Sequence, residues 1–233
     1  MNRPDVISGI RKVWEFSKAL SVGELFSNPM PLVPSQAFVD VAIDPYSSYE
    51  SLYLCGLQNG DYNIQLADFS YFQFGFSKQD HVRFAYYPNP FLGSSTEVVA
   101  EVEELRGYVE EGLVTIEEFL HRVAEIRNSQ HAPLLRYENA PDDYIEFLHP
   151  CSHFHFGHHT ENRWLIQRVL SPLSFALIVF QQFHSRSWQG TPTLTALGKT
   201  ASPWTFLAAE KYSCRVLPDD LCSNEERTLF SFG

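Results

Sequence analysis

No apolar run in this chain approaches the roughly 20 residues that a membrane-spanning helix needs. The longest, Leu173 to Phe180, has the length of a buried helix. The opening residues Met1-Asn2-Arg3-Pro4-Asp5 lack the apolar character of a secretory signal, so a cytoplasmic protein with no membrane association is expected. Basic residues are scarce, with 17 Lys and Arg against 28 Asp and Glu and a net charge of -11. That balance excludes an autonomous, sequence-independent DNA binder, which gains affinity by displacing counterions from phosphates with Lys and Arg. A basic patch has to be built locally, against the field of the whole chain. Cys55, Cys151, Cys214 and Cys222 are scattered without the paired short spacing of a zinc ribbon, and they fit reduced thiols. Also absent are a Gly-rich phosphate loop, a Gly-x-Ser-x-Gly elbow, a Cys–His nucleophile pair and any internal repeat. Those absences argue against P-loop enzymes, α/β-hydrolases and solenoids.

Aromatic residues are abundant: Phe, Tyr and Trp make up 15% of the 233 residues. The length suits a single domain over 1–233 with a sizeable core. Val6, Ile7, Ile10, Val13 and Trp14 recur at helical spacing, and Pro29, Pro31 and Pro34 mark a linker that closes an N-terminal segment at 1–33. An antiparallel meander is expected over 34–92. Its strands are read at Phe38 to Ile43, at Tyr53-Leu54, and, after an Asn59-Gly60 turn, at Tyr62 to Leu66, Phe72 to Phe76 and Val82 to Tyr86. A helical pair follows over 95–128, the first helix from about Ser95 to Tyr108. The second begins at the Thr115-Ile116-Glu117-Glu118 capping box and reaches about Arg127. Residues 133–184 read as strands at Leu134 to Glu138, Tyr144 to Leu148, beyond Pro150 and at Trp164 to Leu170, then a buried helix from Leu173 to His184. A loop-rich tail covers 185–233, with short elements near Phe206 to Tyr212 and Glu225 to Phe230. The fold class is α+β, a mostly antiparallel sheet with helices packed on one face and a His-rich strand in the second half.

Chemistry is concentrated from His149 to His159, where five of the nine histidines fall in eleven residues. On a strand, His153 and His155 point one way while Phe154 and Phe156 point the other, and Gly157 permits a sharp exit. Three readings stay open. Two imidazoles at i and i+2 can share a divalent metal such as zinc or iron, the candidate ligands being His153, His155 and His158, with His149, Glu138 and Glu146 near in sequence. Without metal, the pair can divide acid and base roles in cleaving a phosphodiester, with Arg136 steadying the phosphate and Glu138 orienting a ring. Alternatively the histidines are structural, each nitrogen satisfied by the backbone. Cys151 shares the face of His153 on the same alternation, as a buried inert thiol.

The order Arg136-Tyr137-Glu138, then His149-Pro150-Cys151-Ser152-His153-Phe154-His155-Phe156-Gly157, then Leu170-Ser171-Pro172-Leu173-Ser174-Phe175 resembles the bacterial family known as domain of unknown function 2290. Residues 135 to 159 also resemble small TumE-type toxins of toxin–antitoxin pairs. The first resemblance covers most of the chain and implies a bacterial cytoplasmic protein from a mobile or anti-phage defence locus. Two functional classes follow. One is a nuclease-like enzyme using His153, His155, Arg136 and Glu138, with nucleic acid as substrate. The other is a non-catalytic accessory subunit bound to a protein partner encoded nearby.

Overall fold

The structure is a computed structural model that describes residues 1–91, 96–125 and 132–230. Among these, seven strands form one sheet whose spatial order is the chain order: β1 (Gly23–Phe26), β2 (Ile64–Leu66), β3 (Tyr71–Lys78), β4 (His81–Tyr87), β5 (Leu135–Asn139), β6 (Ser152–Phe156) and β7 (Trp164–Leu165). Every neighbouring pair is antiparallel. The α+β class and the antiparallel sheet therefore hold, and the strands read at 62–66, 72–76, 82–86, 134–138 and beyond Pro150 are all present.

The helices, however, cover both faces of the sheet rather than one. On the first face lie α1 (Arg3–Ala19) and α6 (Pro172–Phe183), together with α8 (Pro203–Ser213). They pack against Phe72, Phe74, Phe84, Tyr86, Tyr137 and Phe154. Register sets Phe74 opposite Phe84, Phe84 opposite Tyr137, and Tyr137 opposite Phe154, so four rings form a row across β3 to β6. Phe175 of α6 sits over that row, with ring centroids 6.1 Å from Phe84, 6.3 Å from Phe154 and 6.5 Å from Tyr137. Aromatic contacts at this spacing add to the area they bury. On the opposite face, α2 (Gln36–Ile43), α3 (Tyr49–Asn59), α4 (Thr96–Glu110) and α5 (Ile116–Glu125) share a second core with Tyr71, Ala85 and Tyr87. The expected ends of the helical pair at Ser95 and Arg127 lie outside the described residues.

Two expected strands in the first half are helices. Ser35 and Ser48 accept from the amides of Phe38 and Ser51, and Gly60, at φ 67°, closes α3. Asn59-Gly60 is thus a helix stop rather than a hairpin turn. Residues 144–148 form no strand either. A 3₁₀ turn at Pro141–Asp143 leads into a tight loop in which Ile145 bridges His149. Glu226 of α9 (Asn224–Phe230) holds that loop, accepting from the Tyr144 hydroxyl at 2.8 Å and the Phe147 amide at 2.9 Å. Of the strand expected over 164–170 only β7 forms. The tail carries, besides α8 and α9, a short helix α7 (Ser185–Gly190) and a hairpin of β8 (Leu194–Ala196) with β9 (Lys199–Ala201). Among the described residues, no helix is long and apolar enough to cross a membrane.

One buried chain of hydrogen bonds ties β5 and β6 to the start of α6. The Leu170 amide donates to the Tyr137 hydroxyl at 2.9 Å, and Ser152 donates to the Arg168 carbonyl at 2.8 Å. The Tyr137 hydroxyl must then donate to Ser152 Oγ, at 2.8 Å. Tyr137→Phe strands the Leu170 amide and is expected to cost about 1–3 kcal/mol. Phe175→Ala, which removes the ring the sheet packs on, is expected to cost about 3–5 kcal/mol. Urea denaturation of the two variants measures both, and equal, negligible losses refute this account of the core.

Candidate functional site

The register that lines up aromatic rings on one face lines up polar groups on the other. Arg83 of β4 stands opposite Glu138 of β5, which stands opposite His153 of β6. In the next row Ala85 faces Arg136, which faces His155. Alternation along each strand puts these side chains on one face, with Phe84, Tyr137 and Phe154 behind them. Arg136, Glu138, His153 and His155, all singled out in the sequence, therefore come together, and Arg83 joins them. Gly157, at φ 91°, makes the expected sharp exit from β6.

The two imidazoles meet edge on, with Nε2 of His153 2.9 Å from Nε2 of His155. His153 Nδ1 lies 2.7 Å from the Pro150 carbonyl, which can only accept, so that nitrogen carries the hydrogen and Nε2 presents its lone pair. His155 Nδ1 is buried without a hydrogen-bond partner. Both residues are closed to bulk solvent, at 0% and 4% exposure. Burial lowers the pKa of both rings; for His155 the neighbouring Arg136 adds to the effect and the value falls to about 4. Both are neutral at pH 7.

Glu138 holds the array together electrostatically. Burial pushes its carboxyl up, but Arg83 and Arg136 outweigh that and keep it below the usual carboxylate range. Its oxygens lie 3.6 Å from Arg83 Nε, 3.7 Å from Arg136 Nε and 4.0 Å from His155 Nε2, each too long for a hydrogen bond. Arg136 Nε is buried and without a partner. Arg83, Arg136 and Glu138 line a cleft of about 480 Å³, whose other wall carries Phe38, Val39, Ala42 and Ile43 of α2. Carboxylate and imidazole donor atoms of Glu138, His153 and His155 all fall within 4.8 Å of one another, so these three residues can hold a metal ion.

The other candidates lie apart. His158 and His159 sit at the cleft rim, where their Nε2 atoms reach Ser47 Oγ at 3.2 and 3.3 Å. His158 is thus outside the three-residue cluster, although it was a candidate ligand. His149 stacks edge on to His153 at 5.1 Å, with its Nδ1 buried and unpartnered. Glu146 is exposed. Cys151 packs with Val169, Leu217 and Cys222, and burial pushes its thiol up to about 12. Sequence reasoning missed Arg83. Its alternation with Val82 and Phe84 places it on the far face, but nothing local says that β4 pairs with β5.

Comparison with known proteins returns the first of the two resemblances. The family described as Uncharacterized conserved protein (DUF2290) matches residues 33–231. No curated protein and no solved structure matches the chain.

The buried imidazoles impose a pH dependence. Unfolded, they titrate near about 6.5; folded, both lie lower, His155 at about 4. Between those values the unfolded chain binds more protons, so stability is full above about pH 6.5 and is drawn down as pH falls toward 4. In metal-free protein the urea midpoint is expected to drop between pH 7 and pH 5, and to drop less in His155→Gln. Parallel pH profiles for the two proteins contradict this.

Proposed function

The chain belongs to the DUF2290 family, a description that assigns no reaction, and from that premise we propose that it cleaves phosphodiester bonds in nucleic acid. The observation that carries this reading is a pair of guanidiniums brought to one cleft in an acidic chain. Arg83 and Arg136 share one carboxylate at 3.6 and 3.7 Å, and a guanidinium Nε is left buried and unpartnered. The cleft lining sets Arg83 and Arg136 against Glu138 and Glu161, so the positive charge is local to the two guanidiniums rather than a net excess; a guanidinium fork suits phosphate geometry. The apolar wall of Phe38, Val39 and Ile43 suits the sugar or base of the same nucleotide. Chemically, the nucleophilic hydroxyl of water or of a ribose attacks phosphorus and gives its proton to the Glu138–His155–His153 array. The ester P–O bond breaks, the leaving oxygen takes a proton from water in the cleft, and the guanidiniums stabilise the charge that builds on the phosphoryl oxygens. We place this activity in a bacterial defence or toxin–antitoxin setting, a reading that rests on the sequence resemblance of residues 135–159 to small toxins and not on the family match.

A second reading, a non-catalytic accessory subunit, is favoured by one observation. The loop beside the imidazoles presents Ile145 at 57% and Leu148 at 74% exposure. Apolar side chains held at a surface in this way suit contact with a protein partner.

Incubating the full chain with single-stranded RNA and DNA oligonucleotides, with and without divalent metals, separates the readings. Cleavage is expected. It is expected to fall at least about 100-fold in Arg136→Ala, as when one charge-stabilising donor is removed, and to vanish in the His153→Ala/His155→Ala double variant. A double variant as active as the wild type, or a wild type inert on both polymers, sinks the proposal. Stable co-purification of such an inert chain with the product of a neighbouring gene favours the accessory role.

A further inference from the structure

We infer that Glu138, His153 and His155 form a binding site for one first-row divalent metal ion of the zinc type. The site lies within the array assigned above to phosphodiester cleavage. It rests on that reading for its role in the reaction, although not for the binding itself.

Three observations carry it. First, the two Nε2 atoms stand 2.9 Å apart, on residues i and i+2 of one strand. Two nitrogens each about 2.1 Å from a metal stand about 2.9 Å apart at a right angle and about 3.4 Å apart at the tetrahedral angle. The observed spacing therefore meets one geometry as it stands and reaches the other by a shift of about half an ångström. Second, the far nitrogen of His153 donates to the Pro150 carbonyl at 2.7 Å. A backbone carbonyl on the second nitrogen is the usual partner of a metal-bound imidazole, because it fixes the tautomer and the ring orientation. Third, the Glu138 oxygens stop 3.6 to 4.0 Å from Arg83, Arg136 and His155 without a hydrogen bond to any of them. A carboxylate held at that distance from its neighbours has room to turn toward an ion beside the imidazoles.

A direct hydrogen bond between the rings, with His155 donating from Nε2, accounts for the 2.9 Å spacing without an ion. His155 Nδ1 is buried without a partner in either tautomer, so metal uptake is what separates the two arrangements. Donor chemistry sets the class of ion. Two imidazoles and one carboxylate suit zinc, manganese, iron or cobalt, whereas magnesium and calcium favour oxygen donors alone. Three protein ligands also leave a position open on the metal. Such an ion, held by Glu138, His153 and His155, would supply a water of lowered pKa, while Arg83 and Arg136, which flank Glu138, would take up phosphate.

The test uses full-length protein stripped with a chelator and titrated with Zn²⁺ and Co²⁺ by calorimetry, with bound metal counted by elemental analysis. One ion per chain is expected. Affinity is expected to fall at least about 100-fold in His153→Ala/His155→Ala and 10-fold or more in Glu138→Gln, and to stay unchanged in His158→Ala, with circular dichroism confirming that each variant folds. A wild type that takes up no stoichiometric metal overturns the inference without reference to any variant. So does metal uptake that survives the double substitution. Failure of the two proposals can be told apart. Metal bound one to one without cleavage of RNA or DNA retains the site and removes the nuclease reading, whereas cleavage that persists in chelator by a metal-free chain does the reverse.

Discussion

Pairing of β4, β5 and β6 in one register is the constraint from which the rest of the structure follows. Because side chains alternate, this register sorts the chain into two chemistries at once. Phe84, Tyr137 and Phe154 turn toward Phe175, while Arg83, Glu138, Arg136, His153 and His155 turn away. A slip of one residue reverses every assignment. It would press two guanidiniums and a carboxylate into a layer of aromatic rings, at a penalty of several kcal/mol for each poorly paired charge. The aromatic face thus stabilises the sheet and also excludes the alternatives that would scatter the polar array. The Tyr137–Ser152–Leu170 bonds add a second lock, since they are satisfied only when β5, β6 and the start of α6 are all in place.

Much of this was legible wherever the signal was local and periodic. Alternation identified the strands from Tyr62 to Tyr86 and around Arg136 and His153, and Ser171-Pro172 marked the start of α6. Clustered histidines led to His153 and His155, and the Arg-Tyr-acid order to Arg136 and Glu138. What failed was arbitration between periods. Val41 and Ile43 have strand-like residue types, yet Ser35, Ser48 and Gly60 carry the capping chemistry of two helices, and the caps prevailed. The loop at 144–149 was misread for a different reason. Its shape is dictated by Glu226, some eighty residues away, whose carboxylate satisfies Tyr144 and Phe147. The helical pair at 95–128 was expected, but its place on a second face was not, because the strand alternation that buries Tyr71 and Tyr87 does not say what covers them.

Charge is organised on two length scales. Over the whole chain the balance is -11, contributed largely by acidic helices such as α4 and α5. Screening confines such fields to about 8–10 Å at physiological salt, so inside the cleft the near neighbours Arg83, Arg136, Glu138 and Glu161 replace the field of the chain. A polyanion approaching from solvent meets repulsion first and attraction only at the two guanidiniums. The cleft itself, about 480 Å³, lies in the range of small-molecule sites, about 300–1,000 Å³, and is no groove for tracking a duplex. For the proposed nuclease these features favour a single nucleotide unit, a strand end or an unstacked residue, over an extended helix as substrate.

Burial decides between the chemical roles open to the imidazole pair. A two-histidine mechanism of the acid–base kind needs one ring protonated and one neutral at working pH. Here both rings are sealed from solvent, and Arg136 beside His155 disfavours a further positive charge. A neutral pair can accept a proton or coordinate an ion, but it supplies no acid. In the proposed cleavage the proton for a leaving group would come from water on the open side of the cleft. In that reaction the sealed pair can be either a proton acceptor or a metal ligand, and protons for a leaving group would enter from the water-accessible mouth of the cleft.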